Sequence, residues 1–303
     1  MNEFKYSYFQ LTFGQEETFH FPEKSYARLK RFNYDAIEIT PPKGRYGKGI
    51  SMEKYLETHK MLKNDFDMEI SCVNECWGEE WDPYSPIYKT LTEPKSAEFA
   101  IQETKTTVDF AAELGAPFVT IAVAIHDTIT KDNLEGCLQE TINTLQTMCD
   151  YAKSKSVRLV FEATNHLEMG KFVNTATNHN RIIDAVDRDN IGIQLDWFHA
   201  NFEELNPYEA VLDAGPRLWH MHFRDSNSLV PGYGSVDFKA VFRALMRIGY
   251  NGYCTIETAP IFPDIDTACK DGINYLKTME HIARLQLSPE YPNGYRLAYK
   301  TMK

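Results

Sequence analysis

The chain has 303 residues, 43% of them hydrophobic, and a formal net charge of −11. That length and composition suit one large α/β domain or two small ones. The acidic balance argues against nucleic acid, whose phosphates need a basic face. No apolar stretch reaches the roughly 18 residues of a membrane span. The first residues, MNEFKYSYFQ, lack a charged region followed by an apolar one, so a secretory leader is not expected. Six scattered cysteines read as reduced thiols, which suits a cytoplasmic setting.

Eight strand-like runs follow in order. Lys5–Phe13 alternates and is aromatic. Tyr34–Thr40 follows a helical stretch around Ser25–Phe32, and Glu38 near its end is a further candidate for the mouth. A Pro/Gly loop then bears Lys43, Arg45 and Lys48. It is expected to be solvated; gripping a phosphate or carboxylate is the alternative. Met52–Asn64 reads as helix and Met68–Asn74 as strand three. An aromatic loop, ECWGEEWDPYSPIY, precedes the amphipathic helix Ser96–Leu114, which stops at Gly115. Phe118–Ala124 is strand four, and Asp132 is the expected cap of a helix to about Lys155.

The second half repeats the pattern. Val157–Ala163, Ile191–Asp196, Leu218–Phe223 and Tyr253–Thr258 are strands five to eight. Thr177–Val186, Phe238–Ile248 and Thr267–Leu285 are helices. The Pro- and Tyr-rich tail that follows is expected on the surface or on a partner subunit. The first βα turn, TFGQEETF, lacks the Gly-rich phosphate loop of an open doubly wound sheet. Strand and helix alternating eight times therefore predict a (β/α)8 TIM barrel over 1–285, with 286–303 as a tail.

Four strand ends carry the chemistry: Glu162, Asp196, His222 and Glu257, spaced 34, 26 and 35 residues apart. A barrel delivers such ends to one mouth. Three carboxylates and an imidazole suit a divalent metal, with Mn²⁺ first and Mg²⁺, Co²⁺ or Zn²⁺ as alternatives. Each residue alone could be a cap or an ion-pair partner; four in succession point to a site. His220 is expected to face away from His222 and either to pack or to stand behind the ligand residues. His126, Trp77, Trp81 and Trp197 are weaker candidates for the mouth, each weighed against a loop or core role. His166 and His179 carry no signal.

At these residues the chain resembles the xylose-isomerase-like barrels, the sugar phosphate isomerase/epimerase superfamily, and most closely the ketose 3-epimerases. FEATNHLE resembles their fifth strand, LDWFH their Leu-Asp-x-Phe-His, and HMHFRDSNSLVPGYG their seventh strand and Pro-Gly-x-Gly loop. The resemblance implies a metal held by Glu162, Asp196, His222 and Glu257. It implies proton abstraction next to a carbonyl by Glu162 and Glu257, through an enediolate, with sugar hydroxyls held by Glu168 and His199. The family's arginine six residues past the metal histidine is replaced here by Ser228, with Arg224 nearby as the candidate substrate-binding cation. The expected activity is isomerisation or epimerisation of a ketose or related polyol. The alternative is a lyase on the same scaffold, an inosose-type dehydratase or the metal-bearing subunit of a C-glycoside deglycosidase. DNA repair of the endonuclease IV kind is disfavoured by the acidic charge and by Asn74 where strand three would need a metal ligand. The expected partners are a small carbohydrate substrate and other copies of the chain, with a hetero-oligomer as the alternative; neither nucleic acid nor membrane is expected.

Overall fold

The computed structural model describes residues 4–44, 46–75, 91–92, 94–122, 129–169 and 172–287. Eight parallel strands close into a barrel in sequence order. They are β1 Lys5–Phe9, β2 Ala36–Ile39, β3 Glu69–Asn74, β4 Phe118–Ala122, β5 Arg158–Ala163, β6 Ile191–Asp196, β7 Leu218–Phe223 and β8 Tyr253–Ile256. The last strand pairs back onto the first, with Lys5 opposite Tyr253 and Tyr8 opposite Ile256. This is the (β/α)8 barrel, and the open-sheet alternative falls.

Helices cover the outside. After β1 come α1 (Gln15–His20) and α2 (Pro22–Arg31), and α3 (Met52–Asp65) follows β2. Next are α4 (Pro94–Leu114), α5 (Leu134–Ser154), the short α6 (His166–Met169) and α7 (Ala176–Val186). The β6–β7 connection holds α8 (Trp197–Glu203) and α9 (Pro207–Ala214); α10 (Phe238–Ile248) and α11 (Ile265–Leu287) complete the ring. Gly115 and Gly249 follow α4 and α10 with φ of 72° and 71°, the left-handed stop that glycine adopts without steric cost.

Strand alternation divides each strand between two environments. On β6, Ile191, Ile193 and Leu195 join the apolar layer under the helices. Gln194 and Asp196 face the lumen, where Gln194 accepts from Thr120 at 2.7 Å. The lumen therefore holds a polar network above a small apolar cluster of Cys72, Phe118 and Val160. Ser7 and Ser71 hydrogen-bond across it at 2.6 Å, and Cys72 meets Thr120 at 3.1 Å.

Several boundaries differ from the sequence reading. β1 ends at Phe9 because Gln10–Phe13 forms a 3₁₀ turn. Asp132 does not cap α5: Asn133 holds the cap position, and its side chain accepts from Thr130 N at 2.7 Å rather than from the helix. α1, α8 and α9 were not anticipated; each is eight residues or shorter, too short to show a periodic stripe. The tail from 288 onward lies outside the described residues. No helix among the described residues is long and apolar enough to cross a membrane.

Candidate metal centre and active site

Asp196 is both the last residue of β6 and the N-cap of α8. Its Oδ1 accepts from the backbone N–H groups of Phe198 (2.7 Å) and His199 (3.2 Å). That bond pins the carboxylate at the strand's carboxyl end, where capping and ligation both need it. Its Oδ2 accepts from Arg224 Nε at 2.7 Å and lies 4.0 Å from His222 Nδ1. Glu162 of β5 comes within 3.7 Å of the same Nδ1, and Glu257, one residue beyond β8, within 2.6 Å. One ligand-type atom from each of Glu162, Asp196, His222 and Glu257 lies within 4.8 Å of the others. The first three are buried, and Glu257 is partly open to the mouth.

The charges are out of balance. Burial, then the nearby Glu257 and Asp196 carboxylates, push Glu162 up to about 8, against the pull of His222 and Arg224. Burial would raise Asp196 as well, but Arg224, His199 and His222 bring it down to about 2. Burial disfavours a charged His222, yet Glu38 and Glu257 flank it and hold it well above the usual imidazole range. A protonated carboxyl among oxygen donors marks a place where positive charge is missing. The donor set is oxygen-rich with a single imidazole and so fits a hard to borderline divalent ion.

Other predicted residues land as follows. His199, on α8, is buried, with Nδ1 2.5 Å from the Asn165 amide and Nε2 accepting from Arg224 at 3.0 Å. Arg224 shares the inward face of β7 with His222 and crosses the Phe198 ring at 4.9 Å. Ser228 sits in a tight turn with φ of 62°, its N–H donating to the Asp225 carbonyl. Trp197 is core, packed on Tyr208 at 5.3 Å. The Glu168 side chain, Arg45, Trp77, Trp81 and His126 lie outside the described residues.

Two expectations are overturned. His220 does not face away from His222. A strand repeats every two residues, so positions 220 and 222 share a face. Both imidazoles enter the lumen, ring centroids 5.3 Å apart, and both meet Glu38. Lys43 is not part of a solvated loop, nor is it free to grip an anion. It is buried, with Nζ 2.9 Å from Glu75 and 3.4 Å from Glu103, and Thr107 also donates to Glu75. Lys48 is exposed.

Sequence reasoning missed His179. Its Nε2 meets the Glu162 carbonyl at 3.0 Å and backs β5 from α7. The signal was present, since His179 shares one helical stripe with Ile182, Ile183 and Val186. It gave Glu38 as a candidate for the mouth at the end of strand two, but not its partners, which come from a strand 182 residues away.

A closed parallel barrel whose carboxylates and histidine gather at the carboxyl ends of its strands belongs to the barrel enzymes that build their sites at that mouth. The family model for xylose isomerase-like TIM barrels matches residues 26–279, and the chain belongs to that family. It is 35% identical over 118 residues to L-ribulose 3-epimerase of Methylomonas sp. (strain DH-1), which is 39% of this chain and 41% of that one. It is 34% identical over 130 residues to D-psicose 3-epimerase of Enterocloster bolteae, 43% of this chain and 42% of that one. The matched stretch spans about two-fifths of the length of either relative. In fold, the crystal structure of 3-keto-D-glucoside 4-epimerase from E. coli aligns over 91% of this chain and 100% of its own, with a TM-score of 0.76 at 19% identity.

Proposed function

We propose that this protein is a metal-dependent epimerase of a ketose or closely related keto sugar that works by proton transfer at the carbon beside the carbonyl. The observation that carries the reading is the convergence of Glu162, Asp196, His222 and Glu257 within 4.8 Å at the barrel mouth. These four would hold the ion, Mn²⁺ first. When bound, the ion would supply the positive charge that stabilises negative charge developing on substrate oxygens.

Glu162 and Glu257 come from strands that are not neighbours and can flank a bound sugar from two sides. One takes the carbon-bound proton and the other returns one on the opposite face. His199, Arg224 and Glu168 are assigned to substrate hydroxyls. Arg224, just past β7 and braced by Asp196, is the cation at hand where Ser228 stands in place of the family's arginine, though on a different part of the loop. The five described cysteines are free and buried, in keeping with a reducing cytoplasm.

The test is turnover in D₂O with Mn²⁺-loaded protein and a panel of ketopentoses, ketohexoses, inososes and 3-keto-glycosides. Recovered sugar should carry deuterium at the carbon next to the carbonyl. Glu162→Gln and Glu257→Gln should each lower turnover by about 10² or more, with metal content measured alongside. Turnover without carbon-bound deuterium would remove the acid/base roles. Release of water or an aglycone, seen by mass, would replace epimerase with lyase.

A further inference from the structure

Glu38 is a wholly buried carboxylate on β2, deep in the lumen beneath the candidate metal centre. Burying an ionised carboxylate is costly unless it is closely hydrogen-bonded. Here Oε2 meets His220 Nε2 at 2.8 Å, and His222 Nε2 lies 3.0 Å and 3.1 Å from the two oxygens. Asn74 Nδ2 donates to Oε1 at 3.3 Å. An ionised carboxylate only accepts, so each imidazole must present Nε2–H to it. For His222 this leaves Nδ1 on the other side of the ring, 2.6 Å from Glu257, 3.7 Å from Glu162 and 4.0 Å from Asp196.

We propose that Glu38 is the positioning residue of this centre: it fixes His222 in the ring orientation and tautomer that turn Nδ1 toward Glu162, Asp196 and Glu257. The inference rests on the metal reading above and adds to it a residue from the opposite half of the barrel. A metal-ligating histidine needs its other nitrogen held, commonly by a carboxylate, and loss of that partner weakens metal binding by about 10–100-fold. His220 serves the same geometry one step further out. Its Nε2 anchors Glu38 and also lies 3.3 Å from Thr255 Oγ1, while its Nδ1 has no hydrogen-bond partner among the described residues. Phe9 stacks on His222 at 6.1 Å and closes one face of the ring.

The test compares wild type with Glu38→Gln and, should that variant fail to fold, with His220→Gln, which removes the anchor instead. Folding is checked by circular dichroism. Mn²⁺ binding is measured by calorimetry, and the imidazole N–H protons are observed by NMR in the Mg²⁺-saturated protein. Wild type should bind one ion and show a downfield, exchange-protected Nε2–H from His222. The folded variant should bind Mn²⁺ about 10–100-fold more weakly, with that resonance moved upfield or lost. Equal Mn²⁺ affinity in wild type and folded variant would overturn the proposal and leave the metal reading standing. A stoichiometry of two, with an ion seated among Glu38, His220 and His222, would also overturn it. Wild type that takes up no divalent ion would overturn the metal reading and this proposal together.

Discussion

Glu75 and Glu162 are both buried carboxylates beside barrel strands, but they meet their surroundings differently. Glu75, after β3, is closed by Lys43 at 2.9 Å and by the Thr107 hydroxyl. Glu38, in the same half, is closed by two imidazoles and an amide. In the β5–β8 half, Glu162, Asp196 and Glu257 share His222 and Arg224, and Glu162 stays protonated up to about pH 8. Glu75 is balanced within its own half, and Glu38 by the two β7 histidines that reach it across the lumen. The second half leaves room for a further positive charge, and that asymmetry separates scaffold from site within one continuous barrel.

The largest effect should come from breaking the balanced half. Lys43→Met removes the cation from a buried pair and should cost about 3–5 kcal/mol, because Glu75 remains buried and unmatched. Urea unfolding measures it. A loss under about 1 kcal/mol, the range of exposed pairs, would erase the contrast between the halves.

The unbalanced half should respond to ions instead. Mn²⁺ at a hundred times its Kd should stabilise the wild type by about 2.7 kcal/mol, read as a rise in Tm, and EDTA should reverse it. Asp196→Ala should abolish most of that rise. A Tm indifferent to Mn²⁺ and to EDTA would show that the site is balanced without an ion.

The smallest effect sharpens the comparison with a titration present in both halves. Burial holds His59, on α3, down to about 3, and His179, on α7, down to about 4. Unfolded histidine titrates near 6.5, so below that pH the unfolded chain takes up a proton that the folded one refuses. The stability each contributes is complete above pH 6.5. It should fall by about 1.4 kcal/mol per pH unit on acidification toward those values. Unfolding at pH 7 and pH 5 of wild type and His59→Gln isolates the first share. An identical pH slope in both would show that His59 charges freely in the folded state.

Much of this was legible in the chain itself. The βα rhythm shows because apolar alternation, left-handed glycine stops and strand length are local properties, written within ten or so neighbouring residues. β6, β7 and α10 have the boundaries read from sequence for that reason. The four ligand-type residues were legible because each stands at a strand end, and a barrel has one mouth for all of them. Closure of the barrel decided the rest. Glu38 meets His220 and His222 across 182 and 184 residues, and Lys43 meets Glu75 across 32. Whether a buried charge is matched or left waiting depends on which side chain the fold sets opposite it. That is a property of distance in space, which local pattern does not encode.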